Sequence, residues 1–330
     1  MQLVTRLEAF SPRPERPLIV LLGNFDGLHL GHQSLVKWGL GEALQTKGAA
    51  AVFTFSTHPQ QVLHGGQGPQ LLTSLDHKLF LLGQSGVELC FLLPFTQEFA
   101  RMEAEDFVEN ILVKRLHVSQ VGMGYNARFG HGRKGDSALM EKSAAKLGFR
   151  FFKAEAVKAD GEYVSSSRIR ALITEGKLEE AEHCLGRHFS FFGRVVKGSG
   201  RGAKLGIPTA NFDLASQALP PFGVYPVRAR GIRRESRALG EGFEEVRLMA
   251  RQQWFGGVMN YGKRPTFQAS GPAVAEAHFF DFSGDLLGQM LEIEIYPKLR
   301  EEKAFENPEA LKRQIEEDKQ KARKTLALTK

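Results

Sequence analysis

No single layer of secondary structure accommodates both halves of this chain, because its texture changes at about Gly186. From Leu18 to that glycine, short apolar runs alternate with longer amphipathic ones, the pattern of a parallel sheet covered by helices. The spacing predicts strands over 18–22, 50–55, 88–93, 120–124 and 149–156, and helices over 34–44, 105–116, 136–147 and 167–184. Beyond it, 189–196, 224–229, 246–259, 274–282 and 290–296 read as strands separated by glycine and proline, which predicts a small antiparallel β-barrel. The charged tail 308–325 carries Leu311, Ile315 and Ala322 and predicts a terminal helix on the barrel. The stretch 231–245 is rich in Arg, Glu and Gly and predicts an exposed loop between strands. The fold class is therefore α/β plus β, in two domains over 1–186 and 187–330.

The charge balance narrows the partners. Across 330 residues Lys and Arg outnumber Asp and Glu by 44 to 37, a formal charge of +7 that suits a ligand carrying phosphates. Basic clusters at Arg233-Arg234 and over 319–324 have no base-stacking motif beside them, so no nucleic-acid partner is expected. The only cysteines, Cys90 and Cys184, cannot make a disulfide framework or a thiolate metal site, and a reducing compartment, the cytoplasm, is expected. Residues 1–17 are too charged for a secretory signal and no stretch reaches transmembrane length, so no membrane partner is expected. A monomer or weak homo-oligomer is anticipated.

The strongest chemical signal is Gly23-Asn24-Phe25-Asp26-Gly27-Leu28-His29-Leu30-Gly31-His32, between the first predicted strand and the first helix. Ligands of open α/β sheets sit beyond the carboxyl ends of strands, where helix amino-termini offer unpaired N–H groups to phosphate. Glycines 23, 27 and 31 keep that approach open. With a helix starting near Leu30, His29 and His32 project from its first turn toward one small volume. Such donors stabilise charge that develops on an α-phosphate during nucleotidyl transfer. A lone pair of histidines there would also serve as a cap. The full decapeptide resembles the His-x-Gly-His signature of the nucleotidyltransferase superfamily. Val164-Ser165-Ser166-Ser167-Arg168-Ile169-Arg170 resembles that superfamily's second motif, which holds the β- and γ-phosphates with hydroxyls and a guanidinium. An N-cap accounts for Ser166 or Ser167 alone, but not for Arg168 as well.

Two further stretches resemble the bacterial bifunctional riboflavin kinase/FAD synthetases. They are Phe53-Thr54-Phe55-Ser56-Thr57-His58-Pro59, and Gly124-Tyr125-Asn126-Ala127-Arg128-Phe129-Gly130 followed by Gly132-Arg133-Lys134-Gly135-Asp136. The resemblance implies a Rossmann-like nucleotidyltransferase domain over 1–186, with ATP on Gly23, Asn24, Phe25, Asp26, Gly31, Ser165, Ser166 and Arg168. FMN would lie on Phe55, His58, Pro59, Asn126 and Arg128, and His29 and His32 would be catalytic. Read as residues alone, Phe53 and Phe55 also suit an ordinary strand core. Ala127 stands where the family usually has an aromatic ring and Thr57 where it often has proline, which implies weaker FMN binding.

The second constellation, 193–212, contains Gly198-Ser199-Gly200-Arg201-Gly202-Ala203-Lys204-Leu205-Gly206-Ile207-Pro208-Thr209-Ala210-Asn211. It lacks a Walker Gly-Lys-Ser/Thr and opens no helix. Pro208-Thr209-Ala210-Asn211 resembles the riboflavin kinase signature. The resemblance continues through 222–225, 257–267, Glu276-Ala277-His278 and 299–305, and implies a riboflavin kinase domain over 187–330. Gly200, Gly202, Lys204, Gly206 and Pro208 would bind ATP, and Thr209 and Asn211, hard oxygen donors, would bind Mg²⁺. Glu276 would be the base that takes the ribityl hydroxyl proton; alone, it also reads as a surface strand residue. Arg300 would contact flavin, or pair with Glu301 or Glu302. Leu287 replaces a tyrosine common in the family.

The implied activity is ATP-dependent phosphorylation of riboflavin to FMN and adenylylation of FMN to FAD with release of pyrophosphate. A kinase with weak or lost adenylyl transfer and a non-catalytic flavin- or nucleotide-binding module are the alternatives.

Overall fold

The computed structural model describes residues 1–198, 207–214, 217–263 and 273–328. The chain forms two compact units, neither continuous in sequence. The first comprises Met1–Pro69, Lys78–Ser165 and Arg234–Leu248, the second Gln70–His77, Ser166–Arg233 and Met249–Lys330.

In the first unit, strands β1 (Gln2–Val4), β2 (Leu18–Leu22), β3 (Ala49–Phe55), β4 (Leu89–Leu93), β5 (Val118–Met123) and β6 (Arg150–Lys153) pair in parallel in the order β1-β4-β3-β2-β5-β6. β2 and β4 are buried at every position, as near-continuous apolar runs in a parallel sheet must be. Helix α1 (Leu30–Thr46) crosses from β2 to β3, and Gly39 lies flush on Leu21, where a Cβ would come within 2.7 Å of the leucine side chain. One face of the sheet is filled by Val20, Phe53, Phe91, Phe107, Leu112 and Met140. The helix predicted over 105–116 departs from regular geometry: an α-turn at Ala104–Asp106 widens into π-helix over Phe107–Arg115.

A separate hairpin pairs β7 (Lys158–Ala159) with β8 (Glu162–Tyr163), and the second unit holds a closed barrel. Strands β9 (Ser190–Val196), β10 (Ala210–Asp213), β11 (Gly223–Gly240), β13 (Phe255–Lys263), β14 (Ala273–Phe279) and β15 (Met290–Ile295) pair antiparallel in the ring β9-β10-β14-β13-β11-β15, which closes on β9. Closure removes the free edges that a six-stranded open sheet would expose. Helix Pro308–Leu328 packs Ala322 and Leu326 against Phe280 and Tyr296, as the tail pattern predicts. The single helix predicted over 167–184 is two, Ser166–Thr174 and Leu178–Leu185, separated at Gly176, whose φ of 81° breaks the run.

Two strand expectations are corrected. The predicted loop 231–245 is strand: β11 continues to Gly240, and β12 (Phe243–Ala250) returns and pairs antiparallel with β1. Charged side chains there stand exposed while the backbone hydrogen bonds are made, so composition misreads it. The run 246–259 is not one strand, because β12 ends at Ala250 and β13 begins at Phe255.

Candidate active sites

The loop after β2 is shaped by conformations that most residues avoid. Phe25 (φ 51°), Gly27 (φ 80°) and Leu28 (φ 37°) all sit at positive φ, which turns the chain sharply before α1. Phe25 is fully buried and Asp26 nearly so, and a Cβ on Gly23 would press on the Phe25 ring at 3.1 Å. His29 is the N-cap of α1, its Nδ1 accepting from His32 N at 3.4 Å. The two imidazoles stack with centroids 3.7 Å apart, and Phe25 flanks His32 at 5.1 Å. His32 Nδ1 is buried with no hydrogen-bond partner among the described residues. Burial holds the His32 pKa well below 6.5, with His29 and Lys78 pushing it further down, so the ring is neutral at pH 7.

Lys78, not singled out by sequence, belongs to this place. Its Nζ donates to Phe55 O at 2.8 Å and to Asn24 O and Thr54 Oγ1 at 3.4 Å each, tying the loop after β2 to the end of β3. Thr54 Oγ1 also donates to Asn24 O at 3.1 Å. Phe55 contributes a half-buried ring whose edge-on neighbours are Phe95 and Phe99, at 4.9 and 5.2 Å. His58 caps the short helix Pro59–Leu63. Asn126 is exposed, and Arg128 donates to Asp136 Oδ2 at 2.7 Å. Asp136 in turn caps helix Ser137–Leu147, and Ala127 packs against the core. Ser165 ends a segment of the first unit; Ser166 and Arg168 open helix Ser166–Thr174 of the second.

In the barrel, register aligns three polar residues from distant parts of the chain. Asn211 on β10 lies opposite Glu276 on β14, and Glu276 lies opposite Asn260 on β13. Opposed residues share a face. Phe212, Ala275, Ala277 and Met259, their alternates, are buried and fill the interior, so the polar row is on the outer face. Asn211 is buried and its Oδ1 has no partner among the described residues. Gly198 covers it so closely that a Cβ there would collide with the amide. The approach of Pro208 and Thr209 is set by His278, whose Nδ1 donates to Pro208 O at 2.9 Å. A cavity of about 380 Å³ opens at this place, lined by Gly198, Thr209, Asn211, Phe282 and Leu286 among others. Leu287, 57% exposed, forms part of its rim. Gly200, Gly202, Lys204 and Gly206 lie outside the described residues.

Arg300 is paired otherwise than anticipated. Its Nε and Nη2 grip Asp318 of the terminal helix, at 3.0 and 2.7 Å from Oδ2, while Glu302 accepts from Asn260 Nδ2 and Glu301 pairs with Lys298. Asp318 lies 18 residues beyond Arg300 on the terminal helix, and no local motif joins the two.

Comparison with known proteins joins the two halves. A family model described as FAD synthetase matches residues 11–168, and one described as riboflavin kinase matches 185–326. A bifunctional riboflavin kinase/FMN adenylyltransferase of Haemophilus influenzae is 33% identical over 302 residues, 92% of each chain. One from Escherichia coli K12 is 32% identical across 100% of this chain and 99% of its own. The chain belongs to the bifunctional riboflavin kinase/FMN adenylyltransferase family. A solved structure titled as a macrolide-efflux protein from Streptococcus pneumoniae shares the fold, with a TM-score of 0.79 and 26% identity over 97% of this chain and 98% of that one. Efflux is the description of that protein; among the described residues of this family member no helix is long and apolar enough to cross a membrane.

Proposed function

We propose that this enzyme makes FMN and FAD at two separately built sites, phosphorylating riboflavin on the outer face of the barrel and adenylylating FMN beyond the carboxyl ends of β2 and β3. The supporting observation is that each place holds a buried polar atom without a partner among the described residues, His32 Nδ1 in the first unit and Asn211 Oδ1 in the second. Buried polar groups are nearly always satisfied, so an unsatisfied one in a phosphate-binding motif reads as a ligand contact. The parallel sheet of the first unit is read as a Rossmann-like nucleotidyltransferase fold, and the functional division as 1–186 and 187–330.

In adenylyl transfer an FMN phosphate oxygen attacks the α-phosphorus of ATP, the bond to the oxygen bridging to the β-phosphorus breaks, and pyrophosphate leaves. His29 and His32, stacked and preoriented, donate to the oxygens that gain charge. Gly23, Asn24, Phe25, Asp26 and Gly31 hold ATP along the loop, with Ser165 of the same unit assigned to its phosphates. FMN lies on Phe55, His58, Pro59 and Asn126. Arg128, whose Nη1 donates to Asp136, is assigned to FMN as well.

In the kinase reaction Glu276 takes the proton of the ribityl primary hydroxyl as its oxygen attacks the γ-phosphorus and ADP leaves. Asn211 Oδ1 and the Thr209 hydroxyl are hard oxygen donors at the cavity, one already desolvated, and they fit a Mg²⁺ ion. When bound, that ion would screen triphosphate charge. Pro208 and the glycine loop 200–206 with Lys204 are assigned to ATP. Arg300, held by Asp318, is assigned to the flavin side through the segment it anchors.

The test is a crossed pair of variants. His32→Ala abolishes FAD formation while FMN accumulates from riboflavin, and Glu276→Ala stops riboflavin phosphorylation while supplied FMN is still converted to FAD. Loss of both products in either variant, or of neither, overturns the division.

A further inference from the structure

Lys78 carries a charge that no carboxylate meets directly among the described residues. Its three hydrogen-bond acceptors, Phe55 O, Asn24 O and Thr54 Oγ1, are all uncharged, and it forms no ion pair with a carboxylate among the described residues. Burial lowers its pKa from 10.5, the cost expected of an ammonium withdrawn from water, and Cys90 and Asp26 offset that only in part. A cation placed at such a cost normally has a paired anion. The acceptors themselves say where the missing anion lies. Asn24 O belongs to the loop after β2, and Thr54 and Phe55 to the last residues of β3, so Nζ sits beyond the carboxyl ends of two adjacent parallel strands. Its field is also felt at His32.

We propose that Lys78 is a substrate-phosphate residue of the adenylyl-transfer site, its ammonium being the built-in counter-charge for the phosphate chain of ATP. This rests on the reading that the loop after β2 is that site. Nζ trades its two long contacts, to Asn24 O and Thr54 Oγ1, for phosphate oxygen and keeps the short one to Phe55 O. One cation thereby binds the nucleotide and holds the floor on which it rests. A purely structural staple would do the second only, which separates the two roles by experiment.

Lys78→Met and Lys78→Arg are assayed for FAD formation from supplied FMN, beside His32→Ala, with KM for FMN reporting the fold of the first unit and riboflavin phosphorylation on the same preparations that of the second. Lys78→Met is expected to lower kcat/KM for ATP by about 100-fold, the scale of one lost charge-stabilising donor. KM for FMN stays within threefold of wild type, and Lys78→Arg recovers at least tenfold. A loss spread equally over ATP and FMN, or shared by the kinase reaction, shows a structural staple and overturns the proposal. So does FAD formation by Lys78→Met at the wild-type rate while His32→Ala is inactive. If His32→Ala itself makes FAD normally, the site reading fails, and the assignment of Lys78 falls with it.

Discussion

Replacing Gly198 by alanine probes the proposed kinase site with one methyl group. The φ of Gly198 lies outside the left-handed region, so alanine suits the backbone and its effect is steric. The new Cβ would overlap Asn211 Nδ2 and stand 2.6 Å from Cγ and 3.0 Å from Oδ1, where ordinary contact begins at 3.4 Å. Asn211 is short, buried and on a strand paired on both sides, so relief requires its amide to move by about 1 Å or the chain at 198 to lift by as much. A displacement of that size at a group proposed to hold the metal costs roughly 100-fold in rate, about 2.7 kcal/mol. We therefore expect kcat/KM for riboflavin phosphorylation to fall about 100-fold, read as FMN formed by chromatography, with adenylylation of supplied FMN unchanged. Asn211→Ala removes the atoms struck, so Gly198→Ala adds nothing in that background. Phosphorylation by Gly198→Ala within threefold of wild type, or additive losses in the double variant, refutes the reasoning.

Two predictions concern what holds the barrel. Asp318→Ala removes the carboxylate gripped by Arg300, whose side chains are 2% and 19% exposed, and strands a mostly buried cation. We expect a local cost of about 3 kcal/mol, discounted for the exposed edge of Arg300, seen as roughly 100-fold faster hydrogen exchange in the terminal helix; unchanged exchange would show the pair to be incidental. The second is a pH dependence at His77, which stacks on Phe192 at 4.3 Å, lies 3.4 Å from Ser190 Oγ, and has its pKa held well below 6.5 by burial and by Arg187 and Arg230. Because the folded pKa is depressed, the unfolded chain binds the proton first as pH falls below about 6.5. Stability present above that pH is lost through the acid range, with a slope of at most about 1.4 kcal/mol per pH unit from one group. In His77→Gln the denaturation midpoint should vary less between pH 7 and 5 than in wild type, and an equal variation would discount His77.

Much of this architecture was legible in local pattern. Apolar runs of strand length locate β2, β3 and β4 to within a residue, because burial on both sheet faces demands unbroken hydrophobic sequence there. The decapeptide 23–32 places its two histidines on the first turn of α1, since cap, glycines and ring spacing are all local. Short β1 and β10 leave no legible signal, having too few residues to show alternation. The arm 231–245 was misread because its charged side chains say nothing of where its backbone hydrogen bonds go.

Local chemistry thus decided where the residues proposed for phosphate stand along the chain: histidines at a helix start, hydroxyl and amide beside a glycine-rich sequence, and a family resemblance carried by those words. Tertiary structure alone decided their partners. Asn211, Glu276 and Asn260 come into one row only through barrel register, Arg300 turns to Asp318 only because the terminal helix lies there, and Lys78 reaches Asn24 across 54 residues. Periodicity records which face of an element is wet or dry; it carries no term for which distant residue will be met on that face, and charge compensation is settled by that meeting.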